Sequence, residues 1–465
     1  MQRLTSERST RGWIFASVFV LLMGMLSSGI GNSAVYAAGG NWPTYQFSSR
    51  RSGFNQADTI LNPSSATHLK LYWTHTTSGA ISAQPVVANS MLYWGSWSGL
   101  ENATDLNNND VWASNLGTTT DNSCYPSQVG VSSTATVATI GGNSTLFVGG
   151  GNAKFYALDA VTGTILWSTR LGSSPSHFLW SSPALFNGSI YEGVASFGDC
   201  PLVQGQVMQL NAATGAIMHI FSTVPAGCTG GGVSGSVAID AAAGTLYFAT
   251  GNSGYCGKPE HHSPAIVELN ASNLSLVDAW EIPPAQQTSD GDFISTPTLF
   301  NSGGKLMVGV ANKNGIFYAF QRDALSSGPV WQDQIAVGGD CPQCGYGSIS
   351  PAGWDGTTLY AAGGNTTIRS KQCQGSLRAI NPGNGAFLWQ RCFNSGPVLA
   401  PVVGVPGVLV VGEGTDLVVL AAASGTTLYR FNDTNSGSLF YGGASIANGV
   451  IYIGNMDGYL YAIGT

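Results

Sequence analysis

Residues 154–172 read KFYALDAVTGTILWSTRLG, and this stretch decides the fold because variants of it recur along the chain. Two strand-like runs flank a turn that contains Asp159 and Gly163, which is the pattern of a β-hairpin. The second run holds Trp167. Two further copies are GQVMQLNAATGAIMHIFST at 205–223 and GSLRAINPGNGAFLWQRCF at 375–393. Such internal repetition predicts an architecture of repeated units.

A second hairpin precedes each copy, so that one unit has four antiparallel strands. Examples are SSPALFNGSIYEG at 181–193 and GASIANGVIYIG at 443–454, whose Asn-Gly turns suit two-residue hairpin loops. Eight units follow one another, with first strands expected near residues 82, 134, 181, 235, 295, 348, 399 and 442. The 385 residues from Ile81 to the C-terminus give about 48 per unit, in the range of propeller blades.

The last unit ends at GYLYAIGT, after its third strand. The segment LKLYWTHTT at 69–77 supplies the missing fourth strand, with Trp73 in the usual Trp position. Closing the ring in this way removes an exposed sheet edge. The sequence therefore predicts an all-β, eight-bladed β-propeller of four-stranded blades over residues 41–465. A solenoid of stacked β units is the alternative, but its ends would not need to complement each other.

The composition restricts the location and the partners. Three Arg residues, a short apolar run and AVYAAGG form a predicted signal peptide over residues 1–37, with an uncleaved anchor as the alternative. Without those residues the chain has 14 basic and 23 acidic residues and a net charge of −9, which argues against nucleic-acid binding. We expect a secreted or periplasmic protein, and a monomer.

All eight cysteines lie in the exported part of the chain. By the strand prediction they gather on one face. Second-to-third-strand loops hold Cys200, Cys256 and Cys373, inter-blade links hold Cys124, Cys228, Cys341 and Cys344, and a fourth strand ends beside such a link at Cys392. An even number outside the cytosol predicts disulfides, whose pairing the sequence leaves open. The CPQC motif at 341–344 lacks a following His, so it is read as structural, paired internally or with Cys373 or Cys392.

The repeat pattern, aliphatic-Asn/Asp-Ala-x-Thr-Gly-x-x-x-Trp, resembles that of pyrroloquinoline quinone (PQQ) dehydrogenases and their non-catalytic relatives. The resemblance spans roughly residues 41–465 and includes NWPTYQ at 41–46. Three local motifs match the catalytic members: FATGN ending at Asn252, SDGDF with Asp292 before an aromatic residue, and ANKNG with Lys313. The resemblance implies that Asn252 and Asp292 bind a metal, that Asp292 is catalytic, and that Asn252 and Lys313 contact the cofactor.

The implied chemistry suits these residue types. Ca²⁺ prefers carboxylate and amide oxygens and would polarise the quinone as a Lewis acid. Asp292 would take the alcohol proton, and Lys313 would stabilise charge on the quinone oxygen. Members of the family that use a lanthanide carry a further Asp two residues after the catalytic one. Here that position is Ile294, so lanthanide use is less favoured.

The chain also departs from the family pattern. The metal-ligand Glu of the family falls in FGDCPLVQG at 197–205, where Asp199 is the only carboxylate and is shifted by one position, while Glu192 lies on the preceding strand. The Trp expected beneath the quinone is Ser234, and the adjacent-cysteine disulfide is absent at Cys124. Asp199 is thus the weakest predicted metal ligand.

Two functions follow from the resemblance. The first is a quinoprotein-like dehydrogenase that oxidises an alcohol or sugar hydroxyl with PQQ and Ca²⁺, and that needs a separate electron acceptor because no haem motif is present. The second is a non-enzymatic propeller that binds a protein or glycan, like the outer-membrane assembly scaffold with the same repeats. The matches at Asn252, Asp292 and Lys313 favour the first, and the missing Glu and Trp favour the second.

Overall fold

A computed structural model describes residues 40–257, 262–434 and 437–465. The predicted signal peptide lies outside the described residues. The main sheets are eight four-stranded antiparallel blades, as the repeats predicted. Helical structure in the described residues is limited to four short 3-10 turns: Ser65–His68, Pro284–Gln286, Leu325–Ser327 and Pro342–Cys344. Among these residues no helix is long and apolar enough to cross a membrane.

The N-terminal strand β1 (Lys70–Thr76) precedes the first four blades. Blade 1 contains β2 (Val86–Ala88), β3 (Met91–Gly95), β4 (Leu100–Asp105) and β5 (Asp110–Asn115), followed by the small hairpin β6 (Thr119–Thr120) and β7 (Gln128–Val129). Blade 2 contains β8 (Thr136–Ile140), β9 (Asn143–Gly149), β10 (Lys154–Asp159) and β11 (Ile165–Arg170). Blade 3 contains β13 (Ala184–Phe186), β14 (Ser189–Ser196), β15 (Gln206–Asn211) and β16 (Ile217–Ser222), with the short β12 (His177–Phe178) also paired to β14. Blade 4 contains β17 (Ala238–Asp240), β18 (Thr245–Ala249), β19 (Ala265–Asn270) and β20 (Leu276–Glu281).

The other four blades follow the same order. Blade 5 contains β21 (Thr298–Ser302), β22 (Lys305–Ala311), β23 (Ile316–Gln321) and β24 (Trp331–Gln334). Blade 6 contains β25 (Gly353–Trp354), β26 (Leu359–Gly363), β29 (Gly375–Ile380) and β30 (Phe387–Phe393), with the side hairpin β27 (Thr366–Ile368) and β28 (Lys371–Cys373). Blade 7 contains β31 (Val403–Val405), β32 (Val408–Glu413), β33 (Asp416–Ala421) and β34 (Thr427–Asn432). Blade 8 contains β35 (Ser445–Ala447), β36 (Val450–Gly454) and β37 (Tyr459–Gly464), and β1 completes it.

Strand β1 closes the ring as predicted. It pairs antiparallel with β37, from Lys70 opposite Gly464 to Thr76 opposite Tyr459. The Nε1–H of Trp73 donates to the carbonyl of Leu106 in blade 1, at 3.1 Å. The first and last parts of the chain therefore share one sheet, and the edge of β37 is covered.

The Trp and Gly of the repeat are partners across neighbouring blades. Trp167 in blade 2 donates its Nε1–H to the carbonyl of Ala212 in blade 3, at 3.3 Å. A Cβ on Gly215 of the same blade 3 turn would meet the Trp167 ring at 2.4 Å, and Gly215 has φ +73°. Only glycine suits both the close approach and the left-handed backbone. The Trp and Gly of the repeat consensus are thus the residues through which one blade packs on the next.

Each first strand begins a few residues beyond its predicted position. In blades 1 to 4, residues before the first strand instead bond to hydroxyl groups of the next blade around the central channel. The N–H of Thr134 donates to Ser182 Oγ at 2.9 Å, and the N–H of Ser182 donates to Ser236 Oγ at 2.8 Å. The N–H of Ser236 donates to Thr296 Oγ1 at 2.8 Å. These residues form a partial ring of hydroxyls, here called the hydroxyl ring, that joins blades 2 to 5. Their N–H groups bond to the next blade and not to a strand of their own sheet.

The segment at residues 41–58 closes the channel below this hydroxyl ring. Its backbone bonds to the first strands of several blades, as where Ile239 N–H donates to Ser49 O at 2.7 Å. Arg51 is fully buried and its guanidinium donates to backbone carbonyls that include those of Val237 and Pro183, at 2.8 and 3.0 Å. These contacts satisfy a buried charge with oriented carbonyl dipoles. The channel is therefore blocked at one end.

The eight cysteines form four disulfides: Cys124–Cys200, Cys228–Cys256, Cys341–Cys344 and Cys373–Cys392. The CPQC motif is thus paired internally. The disulfides suggest an extracytoplasmic protein, since such bonds persist in oxidising compartments. Cys124 has no neighbouring cysteine in the sequence and pairs with a residue of blade 3.

Candidate functional site

The blades surround a central cavity of about 980 Å³. Its wall is built mainly from inter-blade links and second-to-third-strand loops, and Tyr45 of the N-terminal segment also lines it. The aromatic residues Trp97 and Trp180 lie in the same wall. This volume is at the upper end of the range of about 300–1,000 Å³ that is typical of small-molecule sites.

Asn252 lies in this cavity, two residues beyond the Thr250–Ala265 backbone hydrogen bond that follows strand β18. Its N–H donates to Asp292 Oδ1 at 2.6 Å, and its carbonyl accepts from Gly231 N–H at 2.8 Å. A Cβ on Gly251 would meet Asp292 Oδ1 at 2.7 Å. The glycine of the TGN motif therefore lets the backbone approach the Asp292 carboxylate.

Asp292 and Lys313 form the buried centre of the site. Lys313 Nζ donates to Asp292 Oδ2 at 2.6 Å and to Asp290 Oδ2 at 2.8 Å. The side chains of Lys313 and Asp292 are 7% and 10% exposed, and that of Asp290 is 30% exposed. One ammonium group thus bridges two carboxylates that are two residues apart in the link before β21.

The two Asn residues that flank Lys313 fix its turn against this link. Asn312 Nδ2 donates to the carbonyl of Gly291 at 2.7 Å, and Asn314 Nδ2 donates to the carbonyl of Gln286 at 2.9 Å. The N–H of Lys313 also donates to the carbonyl of Asp292, at 3.2 Å. The NKNG sequence is therefore a turn that is built to hold the Lys313 ammonium beside Asp290 and Asp292.

Asp199 completes a group of three carboxylates. One oxygen from each of Asp199, Asp290 and Asp292 lies within 4.8 Å of the others. Two buried oxygens in this region, Asn252 Oδ1 and Asp290 Oδ1, have no hydrogen-bond partner in the described part of the chain. Oxygen-rich clusters of this kind suit hard cations. The donor set therefore fits a metal ion.

The protonation of the cluster follows from burial and neighbouring charge. Burial raises the pKa of Asp292 to about 7, with Lys313 acting in the opposite direction. Burial alone would also raise the pKa of Asp290, but hydrogen bonds with Asp292 and Lys313 outweigh it and hold that pKa below its usual value. Desolvation in the cavity raises the pKa of Asp199, which Lys313 partly offsets. Without a cation, Asp292 is thus the carboxylate most ready to hold a proton.

The structure brings together all four residues that the sequence singled out. Asn252, Asp292, Lys313 and Asp199 line the same cavity. Glu192 is fully buried in β14 and is not part of the cavity wall. The position where the family has a Trp is open, since Ser234 lines the cavity instead.

Two neighbours of the site were missed by the sequence analysis. Asp290 belongs to the same SDGDF stretch as Asp292, so the spacing of the two acids was a visible signal. Tyr45 lies far away in sequence, and only the fold places it in the cavity. The guanidinium of Arg51 lies 5.6 Å from the centre of the Tyr45 ring, which is a cation–π contact. No pattern in NWPTYQ could have located that ring beneath the cavity.

The family profile described as outer membrane protein assembly factor BamB (PQQ_2) matches residues 99–339, more than half of the chain. The chain belongs to this PQQ-repeat family. As a PQQ-repeat propeller it has the fold that its repeats predicted, and the resemblance drawn from them is confirmed.

The individual matches include dehydrogenases and a BamB protein. Polyvinylalcohol dehydrogenase from Pseudomonas sp is 22% identical over an alignment 471 residues long. The alignment covers 86% of this chain and 70% of the relative. The crystal structure of quinohemoprotein alcohol dehydrogenase from Comamonas testosteroni matches with a TM-score of 0.72 at 19% identity, over 92% of this chain and 81% of that one. BamB from Moraxella catarrhalis matches with a TM-score of 0.58 at 16% identity, over 85% of this chain and all of that one (100%). At these identities the two structural matches show the fold alone.

Proposed function

We propose that this PQQ-repeat propeller is an extracytoplasmic dehydrogenase that oxidises an alcohol or sugar hydroxyl with PQQ and a metal ion. The observation that carries the proposal is the buried cluster of Lys313 with Asp290 and Asp292, next to the unpartnered oxygen of Asn252. A propeller used only as a scaffold has no need to bury the Lys313–Asp292 ion pair in its cavity wall, beside the partly exposed carboxylate of Asp290.

The metal would be held by Asn252 and by the carboxylates of Asp199, Asp290 and Asp292. Three carboxylates and one ammonium group give the cluster a formal charge of about −2, which favours a hard cation. Ca²⁺ is the first candidate. A trivalent lanthanide is the second, because Asp290 adds a carboxylate beyond the set that the motifs predicted. Polyvinylalcohol dehydrogenase, the name of one relative, supports an alcohol as the substrate class.

PQQ, when bound, would supply an electrophilic carbonyl as the hydride acceptor, and the metal would act as a Lewis acid. Asp292 would accept the proton of the substrate hydroxyl at a carboxylate oxygen, and its burial keeps water from competing for that role. Lys313 holds this carboxylate in place through the 2.6 Å contact and offers positive charge to an oxygen that becomes negative. Trp97 and Trp180 line the cavity and would offer aromatic surfaces to the flat ring of the cofactor.

A second candidate function is a binding propeller without catalysis. Two Tyr side chains on the face of the disulfides, Tyr125 and Tyr255, are 92% and 80% exposed. Exposed aromatic side chains of this kind suit a protein or glycan partner. The open position at Ser234 also leaves a quinone without its usual Trp support.

A calorimetric titration with PQQ, in the presence of Ca²⁺, La³⁺ or neither, tests the first function. Metal-dependent binding should weaken at least about tenfold in Asn252→Ala and in Lys313→Ala, as the loss of a buried polar partner implies. Asn365→Ala, in a separate cleft near Tyr346, and the exposed Lys305→Ala are the matched controls and should bind like the native chain.

Dye-linked oxidation of primary and secondary alcohols, including poly(vinyl alcohol), follows if PQQ binds. Asp292→Asn should then abolish turnover even at metal and PQQ concentrations that saturate its weakened site, because it removes the base that accepts the hydroxyl proton. No PQQ binding at high micromolar concentration with either metal would reject the dehydrogenase and leave the binding propeller.

A further inference from the structure

The segment that carries Asp199 has little to hold it. In the part of the chain that the structure describes, no backbone–backbone hydrogen bond joins residues 198–202 to any other segment. The regular pairing of β14 ends at Ser196, and Asp199 adopts φ +60°, a backbone conformation that favours glycine. The position of the Asp199 carboxylate near Asp290 and Asp292 therefore needs another support.

The disulfide Cys124–Cys200 supplies a direct link from this segment to the β6–β7 hairpin, which lies between blades 1 and 2. Cys200 follows Asp199 directly, and its partner Cys124 is only 8% exposed. Cys124 packs in a cluster with Val129, Phe178 and Phe197.

The loop around Cys124 is itself well ordered by hydrogen bonds. The N–H of Asp121 donates to the carbonyl of Ser127 at 2.9 Å, and the N–H of Cys124 donates to the carbonyl of Asp121 at 3.2 Å. The strands β6 and β7 pair on either side of this loop. The disulfide thus ties a weakly held acidic segment to a firmly held one.

A second disulfide beside the site shows the opposite situation. In the Cys228–Cys256 disulfide, Cys256 lies four residues after Asn252. The Asn252 backbone is also held by Asp292 Oδ1 at 2.6 Å and by the N–H of Gly231 at 2.8 Å. Two further hydrogen bonds pair Thr229 with residues 254 and 255, both at 3.0 Å. Asn252 would therefore keep its place without the Cys228–Cys256 bond.

We propose that the Cys124–Cys200 disulfide is a positioning element that holds Asp199 in the carboxylate cluster, so that the cation affinity of the site depends on this bond. The inference rests on the metal site of the proposed function. The two disulfides at the site then differ in role: Cys124–Cys200 sets the cation affinity, and Cys228–Cys256 stabilises the fold.

The test is calorimetric titration of the full chain with Ca²⁺ alone and with La³⁺ alone, without PQQ. Cys124→Ser/Cys200→Ser should weaken binding about 10- to 100-fold, the range for losing a group that orients a metal ligand. Cys228→Ser/Cys256→Ser and the more remote Cys373→Ser/Cys392→Ser are matched controls. Both should stay within about threefold of the native chain, since neither bond carries a ligand that lacks other support.

Asp199→Asn separates positioning from a general loss of structure. In the native chain it should weaken cation binding by about as much as removing the Cys124–Cys200 bond, and it should add nothing when that bond is already absent. If Cys124→Ser/Cys200→Ser does not fold, as judged by near-UV circular dichroism, Cys124→Ala/Cys200→Val keeps apolar volume without the covalent link.

Three results would overturn the inference. They are native-like cation affinity without the Cys124–Cys200 bond, an equal loss in the Cys373→Ser/Cys392→Ser control, and a full additional loss from Asp199→Asn in the chain without the bond. Each of these leaves the proposed metal site standing. If the native chain binds neither Ca²⁺ nor La³⁺ at millimolar concentration, the proposed function fails as well.

Discussion

At the scale of single residues, the interior contains carboxyl groups that are not paired with any cation. Glu101 in β4 is fully buried, and neither of its oxygens has a hydrogen-bond partner in the described part of the chain. Burial raises its pKa well above the usual value for Glu. The folded chain therefore keeps this proton at a pH where the unfolded chain has already released it.

Glu101→Gln should remove the resulting pH dependence. Because the folded-state pKa is raised, the native chain loses stability as the pH increases from the unfolded pKa of about 4.5 towards the folded pKa, by up to about 1.4 kcal/mol per pH unit. The free energy of unfolding of Glu101→Gln, relative to the native chain, should rise from pH 5 to pH 7 in chemical denaturation. Asp110→Asn, at an exposed carboxyl group, is the control. Parallel stability curves for Glu101→Gln and the native chain would contradict this account.

At the scale of elements, the blades are joined by two different sets of side chains. On the outer side five repeat Trp residues each donate to a carbonyl of the next blade, as Trp167 donates to Ala212. On the inner side the hydroxyl ring links the starts of the first strands, as Ser236 Oγ accepts from the N–H of Ser182. The repeat consensus contains the Trp, so the outer contact could be anticipated. The hydroxyls are common Ser and Thr residues, and their role appears only when neighbouring blades are in place.

Ser236→Ala should destabilise the propeller by about 1–3 kcal/mol, because it leaves the buried N–H of Ser182 without an acceptor. Thermal unfolding followed by circular dichroism measures the loss. The control Ser275→Ala changes an exposed Ser that makes no contact between blades, and it should be nearly neutral. A neutral Ser236→Ala would mean that water replaces the hydroxyl in the cavity wall.

At the scale of the whole molecule, the two ends of the chain meet in blade 8. Strand β1 covers the edge of β37, and the segment 41–58 before it blocks the channel and lines the cavity. The region N-terminal to the blades is therefore part of the closed ring and of the site.

A chain that starts at Ser78 should not form a stable monomer, since it exposes the edge of β37 and opens the channel. Size-exclusion chromatography should show aggregated protein, and a peptide of residues 40–77 added during refolding should restore monomer. Removing only residues 1–39 is the control and should leave the thermal stability unchanged. A stable monomer that starts at Ser78 would show that the ring does not depend on this closure.

The sequence by itself determined the eight blades and the closure of the ring, because these follow from local rules that every repeat restates. Alternating strands, Asn-Gly turns and the Trp–Gly partnership are all encoded within about 50 residues. It also pointed to Asn252, Asp292 and Lys313, because three local motifs match those of the catalytic members of the family.

Only the tertiary structure decided how far apart these groups lie and what surrounds them. The Lys313 bridge to Asp290 and Asp292, the pairing of Cys124 with Cys200, and the place of Tyr45 in the cavity join segments that are 21 or more residues apart. Such contacts depend on the rotation of one blade relative to another and on the path of the N-terminal segment through the channel. Neither the rotation nor the path produces a repeating pattern in the sequence, because each of these contacts occurs only once in the molecule.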